Sequence, residues 1–138
     1  MPLAISSATL FTAGVLLLTV VAVEWGGYYM LALVRGRVGR TPFQVSFARA
    51  GHAHAGVLVI LSLVAQLYVD ASGMGDPFAT LARDGIPLAA ILMPAGFFLS
   101  SIGAGRTQPN RWIWSLYVGT ASLAIGVVAL GIGLLVAA

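Results

Sequence analysis

Apolar residues fill the chain in four long runs, at roughly 9–34, 46–69, 86–104 and 112–136, and polar residues gather between them. Each run approaches the roughly 20 residues that a helix needs to cross the hydrocarbon core of a bilayer. The pattern predicts four transmembrane helices. The first loop, Arg35 to Pro42, breaks the helix with Gly and Pro. The second runs from Asp70 to Gly85 and holds Gly73, Gly75 and Pro77, with Phe78 and Leu81 dipping back to the interface. The third, Gly105 to Asn110, is a tight turn, and Trp112 and Trp114 follow at interfacial depth. Connections this short make consecutive helices antiparallel neighbours. The expectation is an all-α fold, a four-helix antiparallel bundle forming a single transmembrane domain over residues 1–138.

The first run reads as a membrane helix and not as a cleavable signal peptide. No Lys or Arg precedes it, it exceeds the length of an h-region, and no small-residue cleavage site follows it. Packing devices are visible along the later runs. Gly96, Ser100 and Ala104 repeat every fourth residue, as do Ser122 with Gly126 and Ala129 with Gly133. Small residues at this spacing let helix backbones approach closely. Pro94 kinks the third helix and frees a carbonyl that a neighbouring helix has to satisfy.

Composition agrees with the pattern. Of the residues, 59% are hydrophobic and 8% charged, against roughly 25% charged in soluble domains. Lipid has to solvate such a chain. The net charge of +3 has no basic stripe with interleaved aromatics behind it, which sets nucleic acid aside as a partner. The absence of Cys removes disulfides, thiolate metal sites and Cys nucleophiles. The basic residues are all Arg, and six of the seven (Arg35, Arg37, Arg40, Arg49, Arg106 and Arg111) fall on one side of the predicted bundle. Arg83 lies on the other, with Asp70, Asp76 and Asp84. The positive-inside rule then puts loops one and three in the cytoplasm and both termini outside it, in a multi-pass protein of the cell (inner) membrane.

Away from the charged rims, three strongly polar or ionisable side chains lie inside the predicted spans: Glu24, His52 and His54. A charged group in the bilayer costs several kcal/mol and is rarely kept without a use or a partner. Counted from the cytoplasmic ends of antiparallel helices, Glu24 and His54 differ by about three residues, or roughly 4.5 Å of depth. Tyr28, one turn after Glu24, shares its face. Gly26 and Gly27 leave room beside them. The expected cluster is Glu24, Tyr28 and His54, with Glu24 either handling a proton or simply orienting two helices. His52 and His54 are two positions apart, about 200° around a helix, so they face separate sites and cannot chelate one ion. Arg49 lies one turn before His52, placed for an anionic group. Two His and one Glu without Cys do not make a structural zinc site. Haem is less demanding, because one axial imidazole can suffice.

The segment Arg49-Ala-Gly51-His52-Ala-His54-Ala-Gly56-Val-Leu58 resembles the His-Ala-His motif of small four-helix membrane proteins similar to the catalytic subunit of haem–copper oxidases and nitric oxide reductases. In that family a His-x-His pair serves two haems on opposite faces of one helix. The resemblance implies haem ligation by His52 or His54. It departs from the family where Ala55 and Gly56 stand in place of Leu-Asn, and no His occurs outside this segment.

These features lead to a membrane redox or cofactor module that binds haem or quinone through His52 or His54, with Glu24 as the proton-handling group. It would work as a homo-oligomer or as a subunit of a larger membrane complex. Two other classes fit the same composition: a non-catalytic structural subunit, and a small proton-coupled transporter or channel. The topology is directly testable. Reporter fusions after Ala138 and within residues 70–85 read as extracytoplasmic and a fusion at Gly39 as cytoplasmic; the reverse at all three positions means the Arg bias misleads.

Overall fold

The described residues form four helices: α1 (Ser7–Val34), α2 (Pro42–Ser72), α3 (Phe78–Ser100) and α4 (Ile113–Ala137). They are seen in a computed structural model that describes residues 4–138. All four are long and apolar enough to cross a membrane, and no strand occurs among the described residues. The protein is an all-α, multi-pass membrane bundle.

Each boundary has a local cause. The Ser6 hydroxyl caps α1 by accepting from the Thr9 amide. Thr41 and Gln44 form a capping box at the start of α2, with Pro42 at the first helical position. Gly73 ends α2 at φ 62°, a left-handed conformation that favours glycine. Asn110 ends α3, its amide donating to the Ser100 carbonyl and its side chain to the Leu99 carbonyl, both at 2.9 Å.

The second connection departs from expectation. The stretch 70–85 is mostly helical: α2 continues to Ser72 and α3 already begins at Phe78. Hydropathy placed a loop here because Asp70, Arg83 and Asp84 interrupt the apolar runs. The fold cancels two of those charges against each other, since Arg83 and Asp70 form an ion pair at 2.9 Å. At its other end α3 stops at Ser100, four residues earlier than the apolar run suggests, so Ala104 lies in the loop and not in the small-residue stripe.

The tightest packing joins α3 and α4. Gly96 meets the Leu116 backbone, Gly119 meets Met93, and Gly126 lies against Ile86 and Gly85. A Cβ built on Gly126 would sit 2.8 Å from the Ile86 side chain and 3.0 Å from its backbone nitrogen. Ser122 and Ser115 add hydrogen bonds to the Gly85 and Leu92 carbonyls, each 2.8 Å. Dispersion across close backbones, with hydroxyls bonded between helices, is how helices associate in lipid, where apolar burial offers no drive.

Two polar clusters fasten the ends. At one end Gln66 is fully buried and its Nε2 donates to the Arg83 carbonyl at 2.8 Å. That carbonyl is the one Pro87 leaves free, because proline has no N–H to return to the fourth residue before it. The helper for a proline-freed carbonyl thus serves Pro87, whereas the sequence singled out Pro94. Arg83 also donates to Gln66 Oε1 and Thr9, and Asp70 accepts from the Ser6 amide and hydroxyl. At the other end Gln44 Nε2 donates to the Ser101 and Gly103 carbonyls at 2.9 and 2.8 Å, and Thr41 to the Arg106 carbonyl.

Helix α1 stands apart. It packs chiefly on α2, and only Thr9 and Leu16 of its 28 residues are buried. Above the Arg83–Thr9 contact it leans away from α3 and leaves a groove floored by α2.

Two stability measurements follow. Gly126→Val forces α3 and α4 apart and lowers stability by about 1–3 kcal/mol in mixed-micelle unfolding, while Gly131→Ala, which meets nothing within 4 Å, changes it little. Arg83→Met strands the Asp70 carboxylate and costs about 3 kcal/mol, more than Asp70→Asn; equal stability of all the variants would show that neither contact holds the bundle.

Candidate functional site

The groove between α1, α2 and α3 encloses about 290 Å³. Its lining is almost wholly apolar. Thr12 of α1 and Pro87 of α3 mark one end, Val59 of α2 lies along the floor, and Gly26, His52 and Phe98 close the other end. Thr12 and Gly26 are fourteen positions apart on α1, about 21 Å of helix. The space is long and narrow.

His52 is the one ionisable side chain in this lining. It projects at α1, where a Cβ on Gly26 would come within 3.0 Å of its Nδ1 and one on Gly27 within 3.8 Å of its ring. Glycine at these two positions is what lets the imidazole fit. The ring is half-buried, and His52 makes no hydrogen bond with any of the described residues. Neither of its nitrogens is bonded within the described residues.

His54 differs in each respect. Its Nδ1 bonds the Ala50 carbonyl one turn back at 2.7 Å, and its ring stacks on Phe97 of α3 with centroids 5.0 Å apart. The two histidines therefore look to different helices, His52 to α1 and His54 to α3. Neither lies in a group of three or more His, Cys, Asp or Glu among the described residues.

The expected cluster of Glu24, Tyr28 and His54 does not form. The register puts Gly26 beside His52, so in antiparallel helices Glu24 comes level with His54, without the three-residue offset counted from the helix ends. Rotation keeps them apart: the face of α1 that meets α2 carries Leu16, Gly26 and Gly27, while Glu24 and Tyr28 point outward. Tyr28 is 70% exposed and pairs edge-on with Trp25, which is 73% exposed. Glu24 hydrogen-bonds to none of the described residues and does not line the groove. Arg49 is exposed and likewise absent from the lining.

Sequence reasoning singled out both histidines and the two glycines but joined the glycines to the wrong imidazole. It missed Thr12, Pro87 and Phe98, because an apolar lining has no signature distinct from ordinary membrane helix. A second cavity, near 510 Å³, lies on the far side of Phe98 and is lined by Tyr29, Arg40, Gln44 and the Ser101–Ala104 turn. There Arg40 Nε donates to the Tyr29 hydroxyl at 3.2 Å. No family model, curated protein or solved structure matches the chain.

Proposed function

We propose that this membrane protein is a cofactor-binding module whose groove takes a membrane-soluble quinone, with its ring at His52 and its hydrocarbon chain along α1 toward Thr12. The observation that carries the reading is a half-buried imidazole, bonded to none of the described residues, at one end of a narrow apolar cavity. Ligand pockets are mostly apolar with a few convergent polar groups. One imidazole can donate an N–H to a ring carbonyl and accept a proton from a ring hydroxyl at its other nitrogen. It is therefore suited to both oxidation states. The redox chemistry belongs to the quinone; the chain supplies binding, orientation and a dry environment.

Haem is the other ligand that the histidines and the oxidase resemblance bring to mind. The groove fits it less well. Its roughly 290 Å³ falls just below the size of pockets that enclose whole ligands, about 300–1,000 Å³. His52 alone faces the space, while His54 is turned to Phe97. Glu24 has no place in either version as a proton relay, because it lies off the groove. The arginine bias supports an orientation with His52 toward the cytoplasmic half of the cell (inner) membrane.

The test is binding by the purified chain. Solvent extraction yields a quinone, and titration with a short-chain quinone gives saturable binding. His52→Ala weakens that binding about tenfold, the equivalent of one hydrogen bond, and His54→Ala changes it less than about twofold. Absence of quinone binding together with a Soret band on adding haem that is lost in His52→Ala would replace the quinone with haem. Equal binding by both variants and the native chain would remove His52 from the site.

A further inference from the structure

We infer that α1 is the dimerisation helix of this protein, and that the partner covering Glu24 is a second copy of the same chain. Glu24 is ten residues from Val34, about 15 Å inside the end of α1, and therefore within the hydrocarbon layer. It is exposed on the outer surface of the bundle and bonds to none of the described residues. Lipid offers a carboxyl group no hydrogen bond, and such residues almost always face protein or a water-filled cavity. Glu24 lines neither of the cavities described above, so a further protein surface has to cover it.

The positions around Glu24 say which surface. Gly14, Leu17, Val21, Glu24, Tyr28 and Leu31 follow one another at steps of three and four, the a/d repeat of a coiled-coil seam. Every one is exposed, with Leu17 at 58%, Val21 at 56% and Tyr28 at 70%. This seam lies on a different side of the helix from Leu16 and Gly26, which meet α2. Two copies inserted in one membrane run parallel, and a parallel seam places each residue against its own counterpart. The helix then supplies its own complement: Glu24 meets Glu24, and the Tyr28 side chain, which leans toward the N-terminus as helical side chains do, brings its hydroxyl back to the partner's carboxyl group. A hydroxyl donor and a carboxyl acceptor one turn apart on the same face are self-complementary under a two-fold axis. The loose packing of α1 on its own chain leaves this face free for the purpose.

Because the chain has no cysteine, single-cysteine variants of the full protein in lipid vesicles report neighbours directly. Oxidation crosslinks Leu17→Cys, Val21→Cys and Leu31→Cys into dimers. It leaves Phe11→Cys and Leu18→Cys monomeric, although those positions are more exposed, at 74% and 75%. Glu24→Leu, which suits lipid and threatens no contact within the chain, raises the dimer dissociation constant measured in bilayers about tenfold; Tyr28→Phe raises it by less. Crosslinking as strong at Phe11 and Leu18 as along the seam overturns the inference. So does preferential crosslinking through Val128→Cys on α4, or an unchanged dissociation constant in Glu24→Leu.

Discussion

Pro87 cannot return a hydrogen bond to the Arg83 carbonyl, and inside a membrane no water is present to take its place. Gln66 does so from α2, and much of the architecture follows from that one donation. It fixes the rotation and height of α3 against α2, since the buried Gln66 amide donates to the Arg83 carbonyl and accepts from the Arg83 guanidinium. It brings Arg83 to Asp70, which removes two charges from the apolar environment as a pair. The same guanidinium then reaches Thr9 and ties the start of α1 to the cluster. Three helices are joined at one end by groups none of which is tolerable in lipid alone.

What is fastened at one end is free to spread elsewhere. Helix α1 is tied to α3 near Thr9, and along the rest of its length it rests on α2 alone. The groove that results is a consequence of this uneven packing rather than of any residue that lines it. Its apolar walls are ordinary membrane-helix surface turned inward. Only Gly26 and Gly27 are specific to the site, because they make room for the imidazole of His52. The two histidines show how a two-residue spacing divides labour. His54 is spent on the Ala50 carbonyl and the Phe97 ring, and His52 bonds to none of the described residues.

The α3–α4 pair works by the opposite logic. Gly96, Gly119 and Gly126 bring backbones together until no Cβ would fit, and the serines at 115 and 122 bond across the seam. This rigid pair gives α2 a fixed surface to pack on, and α2 in turn carries α1. Packing is closest along the α3–α4 seam and sparsest on α1. The helix least supported by its own chain is the one that carries Glu24, a carboxyl group bonded to none of the described residues.

The sequence by itself determined what free-energy cost alone decides. Four runs of apolar residues with too few charges for water have to be membrane helices, because their backbones can be satisfied in lipid in no other simple way. The helix number, the antiparallel order, the small-residue contacts of Gly96 and Gly126, and the separate orientation of His52 and His54 were all legible from spacing. Tertiary structure decided rotation. In a soluble helix a polar stripe announces which side faces water, but α1 is apolar all round, and nothing in its periodicity says which face meets α2. That ambiguity is why Glu24 and Tyr28 seemed to belong with His54 when Gly26 in fact meets His52. Tertiary structure also decided where α3 begins, because Arg83 and Asp70 read as loop residues until a neighbouring helix cancels their charges.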